Sequence, residues 1–586
     1  MATPTITPPP QRTSGRLPPS ATKRAPTHGG GIRGADTVPR SVQFEGTFGR
    51  MFRTLPAAEH SEDDLRTLAR AMTAEPEARK NPDGSFVKDP SGFISAVATP
   101  EGQVDDEENF GIPAGYTYLG QFIDHDLTFD PASSLQRQND PDALVDFRTP
   151  RFDLDSVYGR GPADQPYMYD DDQRTFALGE ALTAGTIATG VRDLPRFGAR
   201  ALIGDKRNDE NVIVSQLQGL FLRFHNAVAG KFPEASFEQV QRIVRWHYQW
   251  ICLHDFLRRV AGEKNLHAVL PHLKTGGNIY DHPPQLHFYH YHNDPYIPIE
   301  FTVAAYRFGH SMVRPIYRLN TELGKPGKPE DDKTGRLGRQ LVFAGLPGEG
   351  LNGFRKFNRQ WAIDWSLFFE VGATLSPENT INRGTRRVQP SYKIDTSLVD
   401  PLGFLPEFSA GGPAGKLTPD QDGHPRPKGS PGGFEISNLA HRNLLRGMRM
   451  GLPSGQAVAR FMGLTPLPDA AIRIGKATFA NDGNNPSITS LSSSFEGNAP
   501  LWCYILAEAQ HGWSERARQM GDEDKANAVP VHLGPVGGRI VTEVFVGLLL
   551  GDRHSFLSQA PAWKPDFADR KTGRFEMPEL VKVAKL

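Results

Sequence analysis

Apolar positions recur every three to four residues in several stretches of the chain, each of which predicts a helix. From Glu62 to Met72, Leu65, Leu68, Ala69 and Met72 fall on one stripe behind Ser61, a residue type that caps first turns. A longer stripe, Leu217, Leu220, Phe221, Phe224 and Val228, predicts a helix over 212–231. Helices are further expected over 236–262, from Phe301 to Pro315, and as two closing core helices within 500–557. In the Phe301 helix, Phe301, Ala304, Ala305, Phe308 and Met312 share a face, and Pro315 ends it. The aromatic stretch 364–373 reads as buried, whereas 80–115, 323–340 and 409–433 are Gly- and Pro-rich and read as loops.

Four polar islands interrupt this pattern. In Tyr116–Thr128 a helix would place Gln121, Asp124 and His125 on one face by i, i+3, i+4 spacing. Asp126 would lie about 100° further round and face something else. Two sites back to back are one reading; a solvated Asp-His-Asp at a helix end is the other, although two negative charges sit badly there. In Thr149–Gly159, Thr149, Arg151, Asp153 and Asp155 alternate, so an extended loop would present oxygen atoms to one side, as Ca²⁺ requires. The loop lacks the glycine and closing glutamate of an EF-hand. Arg207 and Glu210, three apart at the entrance of the 212–231 helix, can face one space or form an ordinary surface pair. His287, His290 and His292 fit no zinc spacing.

Composition narrows the partners. The 586 residues, 38% hydrophobic and 10% aromatic, can bury a large core. A net charge of −1 gives no overall field for nucleic acid or an anionic membrane. Cys252 and Cys503 sit in apolar surroundings and read as core thiols, so nothing relies on oxidation. The longest apolar stretch, Val541 to Leu550, contains Thr542 and Glu543 and is too short to span a bilayer. Residues 1–40 carry six Lys or Arg and one acid, Asp36, without an apolar core. They read as a disordered basic arm, with a transit peptide as the alternative and no classical signal peptide. A cytoplasmic location or non-classical export is expected.

The segment Gly120-Gln-Phe-Ile-Asp-His-Asp-Leu-Thr128 closely resembles the distal haem helix of the animal-type haem peroxidases, in the peroxidase–cyclooxygenase superfamily. Further segments resemble the family in family order: the calcium loop ending in Val157-Tyr158-Gly159, Arg207 with Glu210, Leu222–Asn226, the proximal Arg307-Phe-Gly-His310-Ser-Met312, and Asn443 eight residues before Gly451-Leu-Pro453. Met448-Arg-Met450 departs from the family's Arg-Asp-His.

The resemblance implies one large helical haem-peroxidase domain over 41–570 with long loops and little β, followed by a tail, 571–586. It implies haem b, with His310 on the iron, its other N–H given to the Asn443 oxygen, and Arg307 among the cofactor-binding residues. Asp124 and Glu210 would be ester-linked to haem; Asn211 stands where one family member has a sulfonium-forming methionine. Ca²⁺ would be held by Asp126, Thr149, Arg151, Asp153 and Asp155. His125 would act as acid–base group, Arg207 over the haem as charge stabiliser, and Gln121 would order water or a halide. His225 reads as a core histidine.

The implied activity is reduction of H₂O₂, through a ferryl and cation-radical intermediate, with oxidation of a halide, pseudohalide or phenolic small-molecule donor. The alternatives are a fatty-acid dioxygenase of the cyclooxygenase branch, a non-catalytic haem- or calcium-binding adhesion module, and a haem-free enzyme. The dioxygenase needs a tyrosine three residues before the proximal histidine, where this chain has Arg307, with Tyr306 one further back. Absence of a signal sequence and disulfides resembles bacterial members.

Overall fold

The computed structural model describes residues 46–74, 81–83, 85, 107–129, 145–146, 148–291, 294–323, 339–342, 350–372, 388–403, 405, 417–419, 425–427, 438–479 and 484–585. The expected basic arm and much of the 80–115, 323–340 and 409–433 loops lie outside them.

Ten helices carry the architecture: α1 Glu62–Ala71, α2 Gly115–Leu127, α3 Val212–Lys231, α4 Phe237–Ile251, α5 Leu257–Val269, α6 Ile299–Val303, α7 Leu439–Arg449, α8 Leu501–Met520, α9 Pro535–Gly551 and α10 Met577–Ala584. Among the described residues, strands pair only in twos and threes. The fold is mainly α.

Local signals account for most boundaries. Ser61 and Ser236 accept from backbone N–H groups of the first turns of α1 and α4, and Asn211 does the same for α3. The predicted stripes of α1 and α3 are buried. Between α4 and α5, Cys252–Phe256 forms a wider π-helical turn, and its Asp255 accepts the Tyr116 hydroxyl at 2.8 Å. Cys252 and Cys503 are free and buried, as expected.

Helix α9 runs along α5 at a separation set by glycine. A Cβ on Gly538 would sit 2.1 Å from Asn265 Nδ2, and one on Gly547 2.2 Å from the Tyr289 ring. Helix α10 packs on α3 and buries Leu580 and Val581, so part of the expected tail, 571–586, is core.

Two expectations are corrected. Part of the 80–115 loop, Glu108–Pro113, is strand β1, paired antiparallel with strand β2, Pro390–Tyr392. Both faces of β1 are covered, so it shows no alternation to read. The single helix from Phe301 is broken: α6 stops at Val303, Ala304 has φ −129°, and Ala305–His310 winds as a 3₁₀ helix. The five apolar residues of that stretch are all buried, so the face was right and the winding wrong.

The start of α9 yields a test of its own. Glu508 of α8 is buried, and its carboxylate accepts the Val536 N–H at 2.8 Å. Burial pushes its carboxyl up to about 7. A folded pKa above the unfolded one means that the native state holds the proton longer, so stability falls as pH rises from the ordinary carboxylate range through 7. Glu508→Gln keeps the accepting oxygen and removes the charge. It should raise stability at pH 8 by about 1–3 kcal/mol and flatten the decline between pH 5 and 8. Thermal melts across pH check this; parallel curves for both proteins would contradict it.

Candidate active site

A cavity of about 290 Å³ lies between α2 and the 3₁₀ turn Ala305–His310. Gln121, Asp124, His125 and Glu210 line one wall, Arg307 and His310 the other. Apolar side chains, Phe256, Phe308, Val313, Leu402, Leu405 and Leu439, close much of the rest.

The first wall follows from helical spacing. Gln121, Asp124 and His125 share the cavity face of α2. His125 is 4% exposed. Its Nδ1 contacts Asn208 Oδ1 at 2.8 Å, and the Asn208 amide nitrogen donates to Gln218 Oε1 at 2.9 Å. An amide oxygen only accepts, so Nδ1 carries a proton, and the neutral form of the ring has its lone pair at Nε2. Glu210 Oε1 lies 3.6 Å from Nε2 and also accepts from the Gln121 side-chain nitrogen. Gln121 Oε1 in turn accepts from the Asn211 amide at 3.1 Å. Asp124 accepts from the Thr128 hydroxyl at 3.2 Å.

On the opposite wall, Arg307 has no paired carboxylate among the described residues. It donates to Thr302 O at 2.9 Å and to Asn443 Oδ1 at 2.7 Å. Loss of solvent around the guanidinium pushes it down to about 10, against the pull of Asp124. Because a guanidinium only donates, the Asn443 oxygen turns to it, and the Asn443 nitrogen faces His310 Nδ1 at 2.8 Å. The expected bond, from His310 to the Asn443 oxygen, is therefore reversed. Burial and the neighbouring Arg307 push His310 down to about 3, so the ring is neutral. Beside it, a Cβ on Gly309 would meet nothing within 4 Å.

Arg207, expected over the cofactor, does not line the cavity. Its guanidinium pairs with Asp205 at 2.8 Å, donates to the His125 carbonyl at 2.9 Å and lies 4.6 Å from the centre of the Phe129 ring. Asp205, held well below the usual carboxylate range by Arg207 and Arg148 despite burial, draws the side chain away.

Behind α2, oxygen atoms of Asp126, Asp153 and Asp155 lie within 4.8 Å of one another. Leu154 between the two loop aspartates takes the left-handed φ of 57°, uncommon for leucine, and its N–H donates to Asp126 at 3.2 Å. Burial first, then Asp153, pushes Asp126 up to about 7. Thr149 donates to Asp153 at 2.6 Å, whereas the Arg151 side chain is turned to Asp552, 3.9 Å away. Arg148 bridges Asp155 at 3.1 Å and Asp205 at 2.5 Å, linking this cluster to Arg207.

His225 is a core residue between the Tyr158 hydroxyl and Arg174 O, both at 2.9 Å. His290 contacts the His287 carbonyl at 2.9 Å, and His292 lies outside the described residues. Asn208, Gln218, Arg148 and Asp205 were not singled out from the sequence. Asparagine at a loop position reads as turn chemistry, and none of the four shares a helical face with its partner.

Residues 132–339 match the family model for animal haem peroxidase, a span that includes Asp153, Asp155, Arg207, Glu210, Arg307 and His310 and begins after α2. A peroxidase-like protein of Margaritifera margaritifera is 32% identical over 188 residues, 30% of this chain and 22% of that protein. The chorion peroxidase of Drosophila melanogaster is 32% identical over 130 residues, 21% of this chain and 15% of that protein. The chain thus matches under a quarter of the length of either relative. Peroxidase A from Dictyostelium discoideum, a solved structure, is 15% identical with a TM-score of 0.46, covering 91% of this chain and 90% of that one. These relatives give no support to the expected bacterial affinity.

Proposed function

We propose that this chain, a member of the animal haem peroxidase family, reduces H₂O₂ in the cavity between His125 and His310 and oxidises a halide, pseudohalide or phenolic donor. The observation that carries this reading is a pair of imidazoles on opposite walls, one held at Nδ1 by Asn208 with Nε2 toward Glu210 and an amide donor beside it. Haem fits the residues present. The cavity has apolar walls for a flat ring, a glycine next to His310, and in Arg307 a cation with donors for a carboxylate. His310 would ligate the iron. Haem supplies redox-active iron and a conjugated ring that stores oxidising equivalents.

The chain's own groups do the rest. His125 Nε2 takes a proton from the peroxide and returns it to the departing oxygen. Asn208 holds the ring in that tautomer, and Gln121 offers an N–H beside it. Arg207 steadies the peptide of His125 from outside the cavity. Asp124 and Glu210 reach the cavity, consistent with ester links to haem; haem that extracts freely into acidic butanone after peroxide treatment would exclude them.

The deciding experiment is an absorption spectrum of haem-reconstituted protein before and after one equivalent of H₂O₂, then with bromide, iodide or a phenol. A Soret band that shifts with peroxide and is restored by a donor supports the reading, and bound haem inert to peroxide overturns it. A fatty-acid dioxygenase is the second reading, favoured by Tyr306 on the cavity wall. Its hydroxyl, however, donates to Gly120 O at 3.1 Å. Oxygen uptake on adding a long-chain fatty acid would favour that reading.

The Asp126, Asp153 and Asp155 cluster would hold Ca²⁺, whose charge relieves three converging carboxylates. Adding Ca²⁺ to chelator-treated protein should stabilise it by about 3 kcal/mol at a hundredfold excess over Kd. Asp126→Asn should abolish most of this gain in thermal melts. Identical melting with and without Ca²⁺ would remove the ion from the proposal.

A further inference from the structure

Asn211, the residue after Glu210, has two tasks that fix each other. At the N-cap of α3 its Oδ1 accepts the Ile213 and Val214 N–H groups at 3.1 and 2.9 Å. Backbone donors cannot be reversed, so the carbonyl end is pinned to the helix and the NH₂ group must point the other way. It points at Gln121 Oε1, 3.1 Å away. With its oxygen occupied, Gln121 presents only N–H. One hydrogen goes to Glu210, and the second is left for the cavity that Gln121 and Asn211 both line.

We propose that Asn211 is a positioning residue that fixes Gln121 as a hydrogen-bond donor to a small neutral acid at the His125 wall. The Gln121 N–H near His125 Nε2 sets a donor next to a proton acceptor, the pair that a neutral acid satisfies at both ends. A molecule such as H₂O₂ or HCN enters uncharged, gives its proton to His125 Nε2 and accepts the Gln121 N–H with its other end. The ligand rests on the proposed function; the orientation of Gln121 does not.

Two variants separate the tasks of Asn211. Asn211→Ser keeps a neutral cap but cannot reach Gln121, and Asn211→Asp keeps the cap while replacing the donor by an acceptor. Both should melt within about 2 °C of the native protein, because Ser and Asp cap helices as well as Asn does. In haem-free, full-length protein labelled with ¹⁵N in glutamine side chains, the Gln121 amide signal, identified by its loss in Gln121→Ala, should move in both variants. In haem-loaded protein, Kd for HCN, read from the Soret band, should rise roughly tenfold, more for Asp than for Ser. Within the Gln121→Ala background the same variants should add nothing.

A Gln121 signal unmoved in both variants overturns the proposal. So does an unchanged Kd for HCN, or an equal loss in the Gln121→Ala background. Should the native chain take up no haem, the proposed function falls, and the ¹⁵N signal alone decides the role of Asn211.

Discussion

His310→Ala is expected to leave a folded protein that no longer retains haem. Two imidazoles line the cavity, and they are held in opposite ways. His125 has its Nδ1 proton fixed by Asn208, within a wall that also carries Asp124 and Glu210. His310 sits between Arg307 and Asn443, beside the glycine that leaves a flat molecule room. Before peroxide forms any ester link, the bond from a protein imidazole to iron would be the strongest single contact on haem b, because the others are dispersion and one carboxylate pair. Reconstitution followed by gel filtration should recover haem with the native chain and almost none with the variant, and added imidazole should restore part of the Soret band. Full retention with an unaltered spectrum would mean that the iron is bound elsewhere. The variant removes a neutral ring next to an existing cavity, so its fold should survive, with a loss of about 1–3 kcal/mol.

His125→Ala should do the reverse: haem stays, and the reaction with peroxide slows by roughly 10²- to 10⁴-fold. The argument is the tautomer. Asn208 Oδ1 at 2.8 Å accepts the Nδ1–H, so in the neutral ring Nε2 is the basic nitrogen, on the cavity side. Rapid mixing with H₂O₂, followed at the Soret band, measures the step directly. Asn208→Leu should show a smaller loss of the same kind, since the ring remains but its tautomer is no longer imposed. Arg207→Ala, by contrast, removes a brace that meets His125 at its carbonyl alone. A rate that His125→Ala leaves unchanged would move the acid–base role to Glu210, the other titratable group beside Nε2.

How far the sequence could be read depended on the range of each interaction. Gln121, Asp124 and His125 were assigned to one face and Asp126 to another by spacing within a single helix, and their surroundings divide in that way. Asp153 and Asp155 were likewise legible from alternation, and Thr149 bonds Asp153, although the Arg151 side chain turns to Asp552. Arg207 was expected over the cofactor, but Asp205 two residues before it, with the distant His125 carbonyl and Phe129 ring, holds its guanidinium outside the cavity. Asn443 was placed correctly beside His310, but its polarity is set by Arg307, 136 positions away. The break at Ala304 escaped for a different reason: over six residues, a 3.6 and a 3.0 period bury the same apolar set.

The arrangement of Arg307, Asn443 and His310 works as an interlock. While Arg307 holds the Asn443 oxygen, the Asn443 nitrogen donates to Nδ1, and the neutral His310 ring must keep its proton on Nε2, the atom a metal would need. The amide can turn over only if the guanidinium finds another acceptor. A ligand bearing a carboxylate and a metal together would meet both conditions, Arg307 pairing with the acid and Nε2 giving up its proton to bind the metal. One amide thereby couples the acceptor of Arg307 to the position of the proton on the His310 ring.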